Sequence, residues 1–435
     1  MPEESPITRA QQSLAAGDAR SAFLHLRPVL DFPGPGKEPE QWAAAVALFA
    51  DIGNVIAGPE FASKVRAATD GRNPQALYDL GYTLIDQDLP EAAATFLARA
   101  NELAPGQEPI VLELATAFER CGRHEEACRV LRATPALVDQ NFLAAYLCAF
   151  NTIAMGDLKA ARSQSLHPGS NETEKHLSDA IAAMLTRADA LLAEGAGELD
   201  HRDLRGWHFV MSGSLLLHLS PYGFDEGMLG RYAFVQDSIE TCLEGIQKVA
   251  AIAQVLTMPF DRVFAGRDRE SEILAHATAH LLGLPSPIPW PEAGTDQPGL
   301  VVVYDLASLP QESLESLSYH ERGRFLWTHA ACWTNPTPWV GDAVTFLYQV
   351  NSSPWGARLQ VDPATNAPTN VPADARPASQ LGELTANAEL AMDRVTDLPR
   401  LAALARAAER AGIAGSKQRR PRHHASFAVK SSRFL

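Results

Sequence analysis

Residues 74–140 carry one helix-pair pattern twice in step, and no other feature narrows the possible folds so far. Counting from Pro74, the first copy places Leu77, Leu80, Gly81, Leu84, Ala93, Leu97 and Ala100 before a closing Pro105. Counting from Glu108, Val111, Leu114, Ala115, Phe118, Ala127 and Leu131 fall at the same offsets, with Gly122 between the two helices. Apolar residues three and four apart lie on one side of a helix, so each copy reads as two amphipathic helices joined by a turn. The large residues form the inner seam. Gly or Ala at 81, 93, 115 and 127 lets two backbones approach closely.

The two copies resemble the tetratricopeptide repeat (TPR), a unit of about 34 residues. Fainter copies extend the pattern. Gly17-Asp18 with Ala22 and Gly156-Asp157 with Ala161 repeat the turn and the small residue that follows it. Trp42, Phe49 and Gly53 mark a weaker unit after the break DFPGPG at 31–36. Residues 5–165 therefore read as four or five helix pairs with atypical outer ones. The resemblance implies an α-solenoid whose concave surface holds a protein or peptide partner, with Asp79, Tyr82, Glu113 and Glu119 on the helices that would meet it.

Composition narrows the function. The chain has 435 residues, of which 46% are hydrophobic and 20% charged, enough for two or three domains with real cores. The start, MPEESPITRAQQ, has neither a basic nor an apolar leader region, and no run of about 18 apolar residues occurs, so a cytoplasmic protein without a membrane span is expected. Cysteines 121, 128, 148, 242 and 332 are scattered without a CxxC, which suggests small buried hydrophobes rather than disulfides or a zinc knuckle. A formal net charge of −15 argues against nucleic-acid binding. The exception is the tail. From Lys417 to Leu435 it carries six Lys and Arg and no acid, and reads as a disordered arm that adds little to stability and binds nucleic acid weakly at most.

Beyond residue 200 the composition shifts, with six of the seven tryptophans between 207 and 355. An amphipathic helix over 231–256, a short strand at 262–265, a helix over 271–282 and apolar runs at 299–306 and 343–350 alternate as in a mostly parallel α/β sheet. The expected organisation is a TPR-like domain at 1–170, a connecting helix within 171–205, an α/β domain at 206–355, a linker and C-terminal helix at 356–415, and the disordered tail at 416–435.

The unit RVFAGRDRESEILAHATAHLLGLP, followed by VVVYDLASLP, loosely resembles a type I phosphoribosyltransferase over 230–350. That resemblance would place Arg267 and Arg269 in a pyrophosphate turn and Asp305 on the ribose. The family's second acid and its Thr-Thr-Gly loop are replaced by Tyr304 and by Ala307-Ser308-Leu309-Pro310, which compromises both contacts.

Other chemistry is weaker still. His276 and His280, with Glu272, share a helix face, but the general-base position holds Ala277. Ser212 and Ser214 lack the glycines of a nucleophile elbow, and His329 stands only three residues from Cys332, which does not make a pair. Trp327, Trp333 and Trp339 suit packing better than a ligand groove. No cofactor, catalytic residue or metal site is expected. The chain reads as an adaptor, with an enzyme or binding domain for a nucleotide or phosphosugar as the alternative.

Overall fold

The computed structural model describes residues 4–36, 38–164, 166, 169–223, 228–258, 260–291, 297–362, 364–413 and 418–430, and the chain divides into two units, 1–178 and 179–435.

The first unit is helical, as the periodicity requires. Helices Pro6–Ala15 and Ala19–Leu30, Pro39–Ile56 and Pro59–Ala67, Pro74–Asp86 and Pro90–Leu103, Glu108–Arg120 and His124–Arg132, and Phe142–Ala154 and Leu158–Ser163 form five pairs, with Pro135–Gln140 between the last two. Each helix packs on the next. The turn glycines Gly17, Gly122 and Gly156 all adopt positive φ, and Asp18 and Asp157 cap the following helices. All seven apolar or small seam positions of the Pro74 copy and all six of the Glu108 copy are buried. At Gly81 a methyl group would lie 2.5 Å from Leu97 Cγ, so the absent side chain is what permits this crossing. The DFPGPG segment is bound in: Phe32 meets Phe118 edge-on at 4.9 Å and its amide donates to Glu91.

The second unit is mixed α/β. Among the described residues its strands are β1 (Leu215–Leu216), β2 (Phe234–Gln236), β3 (Val263–Ala265), β4 (Ile288–Pro289), β5 (Gly299–Asp305), β6 (Arg324–Cys332), β7 (Ala343–Tyr348), β8 (Val350–Ser352), β9 (Arg358–Val361) and β10 (Pro368–Val371). Six form one wholly parallel sheet in the order β1-β7-β6-β5-β3-β4. Val263, Ala265, Leu300, Val302 and Trp327 pack under helices Ile239–Val255, Arg269–Leu281, Ala378–Ala386 and Leu398–Arg410, whereas Phe264, Val301, Val303 and Leu326 join a smaller core with Trp290 and Trp339. Burial on both faces explains why these strands read as unbroken apolar runs.

Several expectations change. The helix expected from 231 begins at Ile239, because Ser238 caps it and Phe234–Gln236 pairs with β8. Residues Arg324–Cys332, not expected as a strand, form β6, while Trp327, Trp333 and Trp339 are buried as the packing reading expects. The expected C-terminal helix is two helices, and both belong to the second unit's core.

The tail is the main correction. Residues 418–430 are docked, not free: Arg419 and Arg422 form β-bridges to Tyr319 and Trp339, and Arg420, His423, Phe427 and Val429 are buried. Charge composition missed this because Arg420 is neutralised by Asp342, a distant acid. Residues 416, 417 and 431–435 lie outside the described residues. Among the described residues no helix is long and apolar enough to cross a membrane.

Candidate functional site

In the helical unit, three of the four candidate partner residues gather. Tyr82, 47% exposed, leans on Tyr78 with ring centroids 6.4 Å apart, and Asp79 stands exposed between them. Glu113, on the first helix of the next pair, is close enough to act on Tyr78. Burial, then Glu113, Tyr82 and Asp79, pushes the Tyr78 hydroxyl up. Burial likewise raises the Glu113 carboxyl, and Arg120 only partly offsets it. Glu119 is not part of this patch, since six residues of helix turn it about 120° away from Glu113. Sequence reasoning missed a groove of about 960 Å³ in the same unit, lined by Arg132, Val138, Phe142, Ala145, Cys148 and Gln164.

In the α/β unit the strand order reverses between β3 and β5: the chain leaves β3 for β4 on one side and returns through β5 on the other. Ligands of open α/β sheets bind outside the carboxyl ends of strands at such a point. Arg267, Arg269 and Asp305 share this end of the sheet, and the last two are hydrogen-bonded within the chain. Arg267 is exposed, whereas Arg269 donates to the carbonyls of Asp374 and Arg376. The amino end of helix Arg269–Leu281 is already capped by Asp268, whose Oδ1 accepts from Ser271 N at 2.9 Å. Ser271 Oγ in turn accepts from Tyr304 N at 2.8 Å. Asp305 accepts from the Tyr348 hydroxyl and from Ala307 N, and burial pushes its carboxyl up. The Arg269 guanidinium and the Ser271 and Tyr304 amides are therefore engaged within the chain, while Arg267 is exposed.

A denser polar cluster lies beneath this rim. Asp237, just before the Ser238 cap, and Cys242, in the first turn of helix Ile239–Val255, meet His329 from β6. His329 Nε2 donates to Asp237 Oδ2 at 2.9 Å and lies 3.6 Å from Cys242 Sγ, which is itself 3.7 Å from Oδ2. The Tyr304 hydroxyl donates to the same oxygen at 2.9 Å and accepts from the Asn351 amide at 3.1 Å. All but Asn351 are buried, and Gly245 opposite them has no room for a methyl group against Trp327 and Thr345. Burial and the adjacent Asp237 carboxylate hold the Cys242 thiol far above its usual range. It is buried and a poor nucleophile.

Next to this cluster, Glu244 accepts from His218 at 2.8 Å, Lys248 at 2.6 Å and Arg394 at 3.1 Å, while Lys248 and Arg205 share Asp397. This network fastens helix Ile239–Val255 to the 392–397 segment. It has the character of an internal staple.

The other sequence candidates remain apart. His276 lies 4.0 Å from Glu272 and packs against Gly382, and His280 is exposed. His329 and Cys332 point to opposite faces because three residues of strand is an odd step. The Asp237 cluster was missed since its members come from four separate places in the sequence. The strand alternation through 325–332, which turns His329 inward beside Trp327, was the available signal. Compared with protein-family models and with curated proteins, the sequence matches none.

Proposed function

We propose that this chain is an interaction scaffold. Its helix pairs form a TPR-like solenoid that grips a peptide or helix of a partner protein, and its α/β unit is a non-catalytic module in a cytoplasmic setting. The observation that carries the reading is the patch of Tyr78, Asp79, Tyr82 and Glu113 on the first helices of two successive pairs. Exposed aromatic rings beside carboxylates favour a partner segment bearing Lys or Arg, through cation–π and ionic contact together. The engaged Arg269 and Asp305 at the strand ends support a non-catalytic second unit, and the pairing of buried Arg420 with Asp342 takes one of the tail's cations away from any nucleic acid.

The test uses the full chain with fluorescent cationic helical peptides. Binding should weaken with salt and fall at least about tenfold in a chain carrying Tyr82→Ala and Glu113→Gln. Equal binding by both chains sinks the proposed surface. Calorimetry with phosphoribosyl pyrophosphate and common nucleotides tests the enzyme alternative. Heat that vanishes in Arg269→Ala and Asp305→Ala would favour it over the scaffold.

A further inference from the structure

The Asp237 cluster is built for more than hydrogen bonding. Three donors, from His329, Tyr304 and Cys242, converge on one oxygen, Asp237 Oδ2, although a carboxylate oxygen offers only two lone pairs. The second Asp237 oxygen is occupied by Ser238 N at 2.8 Å. Among the described residues no Lys or Arg pairs with this buried carboxylate; its ion-pair partner is His329 alone. Buried carboxylates ordinarily find a cation, because desolvation is costly without one.

Geometry and chemistry indicate which cation. Among the described residues, Asp237, Cys242 and His329 bring a carboxylate oxygen, a thiol sulfur and an imidazole nitrogen within 4.8 Å of one another. Around a tetrahedral zinc ion, with bonds of about 2.3 Å to sulfur and about 2.0 Å to nitrogen or oxygen, neighbouring donors stand about 3.3–3.6 Å apart. The observed edges, 3.6 Å from sulfur to nitrogen, 3.7 Å from sulfur to oxygen and 2.9 Å from nitrogen to oxygen, lie near those values without rearrangement of the backbone.

We infer that Asp237, Cys242 and His329 bind one divalent transition metal of the zinc class, with the Tyr304 oxygen in the fourth position. Binding releases the Cys242 thiol proton and shifts the ring proton of His329 from Nε2 to Nδ1, leaving a thiolate, a carboxylate and a neutral imidazole on the ion. Two negative ligands balance its charge inside the core. Two ligands come from the capped start of one helix and one from a central strand, so the ion joins helix Ile239–Val255 to β6. The closed, buried surroundings make this a structural site.

The experiment takes the full chain stripped with a chelator and adds Co²⁺, then Zn²⁺. One equivalent of Co²⁺ should give a thiolate-to-cobalt charge-transfer band with the strong visible bands of a tetrahedral ion, and Zn²⁺ should displace it. The band should persist in a chain whose Cys121, Cys128, Cys148 and Cys332 are all serine, and vanish in Cys242→Ser. His329→Gln should weaken binding at least about tenfold. Zinc should also raise the melting temperature of the wild-type chain, saturating at one equivalent. If Cys242→Ser does not fold, the chain retaining only Cys242 decides. Its cobalt band supports the site, and failure to show one overturns it. A wild-type spectrum without a thiolate band, or one that survives Cys242→Ser, overturns it equally.

Discussion

The two units store their order at different distances along the chain. In the helical unit, seam residues recur every three or four positions and each helix rests on its neighbour, so a short window contains most of what fixes the fold. In the α/β unit the decisive bonds join distant residues: His329 to Asp237 across 92 positions, Arg205 to Asp397 across 192 and Arg231 to Val429 across 198. Successive helix pairs are therefore readable from local pattern, whereas a doubly covered sheet hides its polar partners from any local reading. The contrast predicts how each unit fails.

The largest loss should follow removal of a distant partner. Arg420 donates to both oxygens of Asp342, at 2.6 and 3.1 Å, and to the Leu317 carbonyl at 2.9 Å. Burial alone would raise the Asp342 carboxyl, but Arg420 and His320 outweigh it and hold it well below the usual range. Arg420→Ala strands that carboxylate and should cost about 3–5 kcal/mol in urea unfolding, as should deletion of 418–435. A loss below about 1 kcal/mol would return the tail to the status of a surface arm.

Acid should separate the units next. Burial would raise the Glu244 carboxyl, yet the hydrogen bond and charge of His218, with Lys248, outweigh it and lower it from its ordinary 4.5 to about 2. Its contribution, on the order of 3 kcal/mol, is present above pH 4.5 and lost as the pH falls through about 2. In the helical unit the sign reverses. Burial raises Asp31 and Glu113, whose contributions are present in acid and lost as pH rises through their folded values. Six of the seven tryptophans report on the α/β unit, so acid should change tryptophan fluorescence before helical circular dichroism declines. Coincident transitions would break the comparison.

How much was legible follows the same division. The seam residues from Leu77 to Leu131, the turn glycines, and strands β3, β5 and β7 were readable because each declares itself within about ten residues. The exception in the helical unit carries the same lesson: Arg123 donates to the Phe32 carbonyl across 91 positions, a contact that the DFPGPG break did not declare. Strand β6 was hidden because Trp327, Thr328 and His329 alternate large and polar side chains that are all buried. Of the candidate site, Asp79, Tyr82 and Glu113 were reachable from helical phase. Asp237 and Cys242 were not, since only the sheet brings His329 to them.

A local seam should respond with a moderate loss. Gly81→Leu forces a side chain into Leu97, whose Cγ would lie 2.5 Å from the new Cβ, and should cost about 1–3 kcal/mol through overpacking. The loss should appear in the melt of the helical unit and leave the tryptophan transition of the α/β unit in place. A neutral effect would mean that the crossing at Gly81 has slack, and the close-packed reading of the repeat seam would fail with it.

The smallest effect belongs to the surface that the repeats present. Tyr82 is 47% exposed and its ring leans on Tyr78. Truncating it leaves the seam of Leu77, Leu80 and Leu84 intact, so Tyr82→Ala should change stability by no more than about 0.5 kcal/mol. Glu113→Gln removes a carboxylate that burial already disfavours in its charged form, and should be neutral or slightly stabilising near pH 7. The pair sharpens the comparison, because a surface kept for a partner should tolerate change in the free chain while losing affinity for cationic peptides. Urea melts of both variants beside the peptide titration separate the two roles. A stability loss above about 1 kcal/mol from Tyr82→Ala would make the ring part of the packing rather than of a binding face.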